Sequence, residues 1–146
     1  ASDVYKRQGM DGTHFCDSTG LHNPDHYSTA KDMAVLLQYA LKNDTFREIA
    51  ESPWHSTPGT NVHPDGITYY STMFKNLSDP SVTGGKILGG KTGFTNAAGS
   101  CLASFAEIEG VEYILVTAGA MDGGTPNITD AVTVYNRLGE AAQALK

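Results

Sequence analysis

The tripeptide Lys91-Thr92-Gly93, with Phe94 and Thr95 after it, offers the groups needed to hold the acidic end of a peptide. Lys91 supplies a fixed positive charge, and the Thr92 hydroxyl can hydrogen-bond a carboxylate. Gly93 has no side chain, so a ligand backbone can approach closely. The Phe94 N–H can face a developing oxyanion. A KTG triplet by itself is common, and its plainer reading is a solvent-facing lysine on an edge strand. The context is more specific. The triplet closes an expected strand over residues 86–94 and leads through Ala97-Ala98-Gly99 into another. That arrangement suits an extended peptide pairing with a strand edge.

Such groups act only if a sheet holds them at its margin. Residues 100–107 and 111–118 read as two further strands. The first alternates, with Cys101, Ala103 and Phe105 on one face and Leu102, Ser104 and Ala106 on the other. The second is rich in β-branched and aromatic residues. The short links at 96–99 and 108–110 fit antiparallel hairpins. Upstream, residues 9–25 read as loop. Met33, Leu36, Leu37, Ala40 and Leu41 then recur at helical spacing, with Ser28 or Thr29 as the cap. Asp44 can cap a short second helix. Residues 52–66 hold three prolines and two glycines and read as irregular. Residues 122–126 read as a turn, after which Thr129 or Asp130 opens a helix with Val132, Tyr135, Leu138, Ala142 and Leu145 on one face. Three strands with one apolar face need helices packed on them.

The remaining candidate groups read as structural. His22 and His26 are spaced i, i+4, but Pro24 between them argues against a shared metal. Cys16 and Cys101 have no metal or redox spacing and read as small buried hydrophobes; the sequence leaves open whether they pair. Trp54 and the pair Tyr69-Tyr70 read as packing residues. A net charge of -6 and a pI near 5.2, without a basic stripe, exclude a nucleic-acid or anionic-lipid binder. The longest apolar stretches, residues 33–37 and 113–116, are too short to cross a bilayer. Residues 3–8 resemble the translation of a transposon end used in preparing DNA libraries. Either as such a scar or as a polar tail, residues 1–8 are set aside, and residues 9–146 are read as one partial domain.

The KTG box resembles the third motif of the penicillin-recognising serine enzymes. Thr13-His14-Phe15, Gly20-Leu21, the run from His26 to Ala34 (HYSTAKDMA) and residues 89–102 (GGKTGFTNAAGSCL) are similar, in order, to one branch. That branch is the D-alanyl-D-alanine carboxypeptidases, low-molecular-mass penicillin-binding proteins of the serine peptidase S11 family. The resemblance spans about residues 9–134 and the later part of the catalytic domain. It implies an α/β (α+β) fold of the serine β-lactamase and DD-peptidase type, an antiparallel sheet flanked by helices, here without its N-terminal strands. One face or edge is then expected to lie abnormally exposed. It further implies an extracytoplasmic enzyme that acts on peptidoglycan stem peptides and is acylated by β-lactams. No cofactor, metal or nucleic acid is implied, and membrane anchoring would come only through regions outside these residues. Lys91, Thr92 and the Phe94 N–H take catalytic roles, and Lys91, Thr92, Gly93 and Thr95 hold substrate.

The family's chemistry needs two earlier motifs, S-x-x-K for the nucleophile and its base, and S-x-N. Ser28-Thr29-Ala30-Lys31 satisfies S-x-x-K formally, but its neighbours match a later family segment, where the serine begins a helix. No S-x-N or Y-x-N occurs, so these 146 residues alone are expected to be inactive. A β-lactamase would place a glutamate base before the helix that follows Thr29, yet the first glutamate is Glu48. Residues 120–130 also lack the arginine that several relatives carry near the substrate carboxylate. The alternatives are a non-catalytic peptidoglycan-peptide binding module of the same fold, a β-lactamase-related hydrolase, or an unrelated acidic domain in which KTG is incidental.

Overall fold

The structure is a computed structural model and describes residues 6–121 and 123–146. Residues 1–5 of the segment set aside and Asp122 of the expected turn lie outside the described residues. In chain order the elements are α1 (Ala30–Ala40), α2 (Asp44–Glu51), β1 (Trp54–Ser56), β2 (Thr68–Tyr70), α3 (Thr72–Asn76), β3 (Ser81–Val82), β4 (Gly85–Thr95), β5 (Gly99–Ile108), β6 (Val111–Ala120) and α4 (Pro126–Ala144). Strands β3-β4-β5-β6 form one antiparallel sheet in sequence order, while β1 and β2 form a separate two-stranded ribbon.

The meander closes through two tight turns. Glu109 and Gly110 both have positive φ, 51° and 76°, as a two-residue hairpin requires. The Thr95–Gly99 turn is held by the Ala98 N–H donating to Thr95 Oγ1 at 3.0 Å. Strand β5 lies in the middle and is buried on both faces. Leu102, Ala106 and Ile108 pack with Ile128, Ala131 and Tyr135 of α4. Phe105 packs the other way, with Leu37 of α1 and with Leu41. This is the alternation read from the sequence. Full burial of a side chain such as Phe105 contributes on the order of 2–3 kcal/mol.

Several expected boundaries move. Thr29 caps α1 by accepting from the Asp32 N–H, and Asn43, not Asp44, caps α2. Helix α4 begins at Pro126, because proline is well suited to a first helical turn whose N–H groups need no partner. Leu145, expected on its apolar face, instead follows the last residue of the helix as its C-cap and is exposed. The stretch read as irregular contains β1, which pairs with β2 in the register Trp54↔Tyr70, His55↔Tyr69 and Ser56↔Thr68. Cys16 is exposed rather than buried, and both cysteines are free thiols. Among the described residues no strand pairs with the outer side of β6.

Candidate functional site

The site is a strand margin that the fold leaves open. Strand β3 pairs with β4 only at Ser81↔Lys86 and Val82↔Gly85, and the Ile87 N–H reaches back to Pro80 O at 2.8 Å. Beyond Ile87, no strand of the described residues covers the outer edge of β4. The glycines then divide the edge into a closed and an open half. A Cβ at Gly89 would fall 2.5 Å from Ala50 O, and one at Gly90 would fall 2.6 Å from Ala103 O and 2.9 Å from Met73 Sδ. Helices α2 and α3 therefore sit flush against the strand at those two positions. At Gly93 a Cβ would meet nothing closer than Cys101 Cβ at 4.0 Å, and its φ is not in the left-handed region. Packing among the described residues gives no reason for glycine at 93.

Lys91, Gly93 and Thr95 share a face of β4 with Ala103 and Cys101, whereas Thr92 and Phe94 share the opposite face with Leu102 and Ser100. A carboxylate held by both Lys91 and Thr92 has to sit at the outer margin rather than above either face. Lys91 is exposed, and its ammonium donates to the adjacent Thr92 carbonyl at 2.6 Å, a local contact that an incoming anion can replace. Phe94 is 69% exposed, which is high for a large apolar residue on a strand. Thr95 faces the same way as Lys91 but spends its hydroxyl oxygen on the turn, accepting from Ala98.

Two cavities meet at this margin. One, of about 660 Å³, lies among α2, the β1–β2 ribbon, α3 and residues 90–92. The other, of about 840 Å³, lies between the loop preceding α1 and the sheet face carrying Gly93, Thr95, Cys101 and Ala103. Lys91 and Thr92 line both. Ser28, the serine of the formal S-x-x-K, borders the second cavity. Its hydroxyl is 2.8 Å from Thr13 Oγ1, which in turn donates to the buried Asp32 carboxylate at 2.6 Å. Ser28 also approaches Thr29 O, and Lys31 is not among its partners. This network fastens the loop to α1, and the lysine of the formal S-x-x-K takes no part in it.

The chain matches a sequence model of the family described as D-alanyl-D-alanine carboxypeptidase, peptidase S11, over residues 3–122. The chain belongs to the D-alanyl-D-alanine carboxypeptidase family. It is 27% identical over 128 residues to the D-alanyl-D-alanine carboxypeptidase of Streptomyces sp. (strain K15), covering 88% of this chain and 43% of that relative. Among solved structures, it is similar to the Streptomyces K15 DD-transpeptidase, with a TM-score of 0.76 at 22% identity, over 94% of this chain and 52% of the other. It is also similar to the D-alanyl-D-alanine carboxypeptidase of Mycobacterium tuberculosis H37Rv, with a TM-score of 0.71 at 23% identity, over 90% and 49%. The fold is thus the DD-peptidase fold expected from the resemblance, and the chain spans about half the length of the relatives it matches.

Sequence reasoning passed over two features beside this margin. The first is Asn127. Strand β6 carries an extra residue opposite β5, with Ser100↔Ala120 followed by Leu102↔Thr117, and Gly119 takes φ 78° there. The buried Asn127 side chain donates to Cys101 O at 2.8 Å beside this bulge, and Cys101 is the register partner of Gly93. An asparagine three residues past a Gly-Gly turn carries no sequence signal of that role. The second is the ribbon. Trp54, Tyr69 and Tyr70 are not packing residues; they are 58%, 57% and 67% exposed around the smaller cavity. Each strand of the ribbon has a single partner, and among the described residues neither core cluster includes a ribbon residue, so its aromatic rings stay in solvent.

Proposed function

We propose that the protein to which this chain belongs is a serine D-Ala-D-Ala carboxypeptidase acting on peptidoglycan stem peptides outside the cytoplasmic membrane. A serine from S-x-x-K attacks the carbonyl of the penultimate D-alanine, the terminal D-alanine leaves, and water releases the acyl group from the serine. β-Lactams acylate the same serine. In this scheme Lys91 and Thr92 clamp the terminal carboxylate, Gly93 admits the peptide backbone, Thr95 borders it, and the Phe94 N–H contributes to the oxyanion hole. The observation that carries the reading is the contrast among the glycines: Gly89 and Gly90 are demanded by neighbouring backbone, whereas Gly93 faces open space on a free edge. These 146 residues bind substrate without turning it over.

Amide NMR on the 146-residue chain tests the clamp. The titrants are an N-acylated tripeptide ending in D-Ala-D-Ala and the same peptide as its C-terminal amide. The free acid is expected to shift the amides of residues 91–95 and to bind roughly tenfold tighter than the amide, the scale of one charge-assisted hydrogen bond. Lys91→Met removes that preference. Equal binding of acid and amide, or shifts centred away from β4, overturns the proposal.

A further inference from the structure

The β1–β2 ribbon presents an aromatic pair beside a hydroxyl pair on one face. Trp54 and Tyr70 are direct cross-strand partners, and so are Ser56 and Thr68. Residues two apart on a strand share a face. The Ser56 and Thr68 hydroxyls lie 2.6 Å from each other, which agrees with that placing. Tyr69 belongs to the other face, as the partner of His55. Trp54, Tyr69 and Tyr70 are all exposed. Among the described residues their rings stack on no other ring and carry no cation, and the indole N–H and both phenol hydroxyls have no hydrogen-bond partner. Single exposed apolar residues are ordinary, but three rings within one short ribbon mark a surface that meets a partner. The ribbon is also nearly free of charge: in residues 52–71 Asp65 is the only Asp, Glu, Lys or Arg.

We infer that this ribbon is a saccharide-binding surface, which takes an uncharged sugar ring on Trp54 and Tyr70, and that its ligand is the N-acetylated glycan to which the stem peptides are joined. The choice of that glycan rests on the function proposed above. A pyranose ring has a face of weakly positive C–H groups and a rim of hydroxyls. The C–H face fits the negative face of an aromatic ring, and the hydroxyls can meet the polar tips of Trp and Tyr. These side chains are stiff, so they lose little freedom on binding. Ser56 and Thr68 add hydroxyls on the same face. Other occupants fit less well. An anionic ligand finds no Lys or Arg in residues 52–71. A wholly apolar partner would bury the indole N–H and the phenol hydroxyls with nothing to bond them. Trp54, Tyr69 and Tyr70 also line the cavity that Lys91 and Thr92 line, so a glycan on the ribbon keeps its attached peptide close to the β4 margin.

Trp54 is the single tryptophan of the chain, so its fluorescence reports on the ribbon. The 146-residue chain is titrated with the β-1,4-linked tetramer of N-acetylglucosamine, which is uncharged and carries no peptide. A saturable change in Trp54 emission is expected, with Kd on the order of 1 mM. Tyr70→Ala should weaken binding about three- to tenfold, the range of one aromatic contact, whereas Tyr70→Phe keeps the ring and the greater part of the affinity. Tyr70 is exposed, so neither variant opens a core cavity, and circular dichroism checks that both stay folded. The absence of a saturable change overturns the inference, as does tetramer binding that Tyr70→Ala leaves intact or that Tyr70→Phe weakens as much as Tyr70→Ala. A change in emission with phosphatidylcholine vesicles but none with the tetramer assigns the ribbon to a bilayer and overturns it too. The tetramer has no carboxylate, so failure of the Lys91–Thr92 clamp would appear in the peptide titration and not in this one.

Discussion

Adding one methyl group to each of two glycines three residues apart should have opposite consequences. In Gly90→Ala the new Cβ falls 2.6 Å from Ala103 O and 3.0 Å from Ser104 Cα, both on the backbone of the central strand β5, and 2.9 Å from Met73 Sδ. The sulfur can swing aside, but the two backbone atoms are locked in the β4–β5 ladder. Overpacking of this kind costs about 1–3 kcal/mol. For a domain of this size that lowers Tm by roughly 3–9 °C. In Gly93→Ala the methyl meets nothing closer than 4.0 Å. The folded state then loses nothing, and the unfolded chain loses freedom, so stability should hold or rise by up to about 1 kcal/mol. Urea unfolding followed by circular dichroism, with unchanged slope, gives both numbers. Peptide titration completes the comparison: Gly93→Ala should weaken the D-Ala-D-Ala peptide, since the methyl stands where its backbone lies, whereas Gly90→Ala should affect binding less than stability. If Gly93→Ala destabilises the chain as much as Gly90→Ala does, the margin at position 93 is not open and the argument for a ligand there is wrong.

Asn127→Ala should cost about 1–3 kcal/mol by leaving Cys101 O without its donor, and Asn127→Asp should cost more by setting a carboxylate against that carbonyl; urea midpoints would show the order, and equal stability of all three chains would remove Asn127 from the account. Burial pushes the Tyr135 hydroxyl up to about 12, although Ser104 partly opposes this through a hydrogen bond. The folded state thus keeps a proton that the unfolded state releases near pH 10, so stability is present below about pH 10 and is lost as pH rises toward 12, by about 2–3 kcal/mol in total. Tyr135→Phe should flatten that alkaline limb, and an unchanged limb in the variant would refute the assignment to Tyr135.

The main sheet was legible because its strands follow one another in sequence. The alternation from Cys101 to Ala106 can be satisfied only with helices on both faces, which is how α1 and α4 lie. The ribbon was hidden because β1 and β2 are three residues each, their partners lie 12 to 16 residues apart, and prolines and glycines fill the interval. Helix α3, at five residues, is too short to show a period. The turn signal at Gly123-Gly124 masked the start of α4, since Pro126 both ends a turn and begins a helix.

By itself the sequence determined the order of the strands, the face each residue of β5 presents, and the placing of an ammonium, a hydroxyl and a bare backbone position at the end of β4. Those properties are local, fixed by a two-residue pleat and by residue type. Only the tertiary structure decided that β3 stops at Val82 and leaves the rest of the β4 edge unpaired, that Gly89 and Gly90 are held by their neighbours while Gly93 is not, and that Trp54 and Tyr70 border a cavity beside Lys91. Edges and cavities are made by segments far apart in the chain, and whether such segments touch depends on how the whole domain packs.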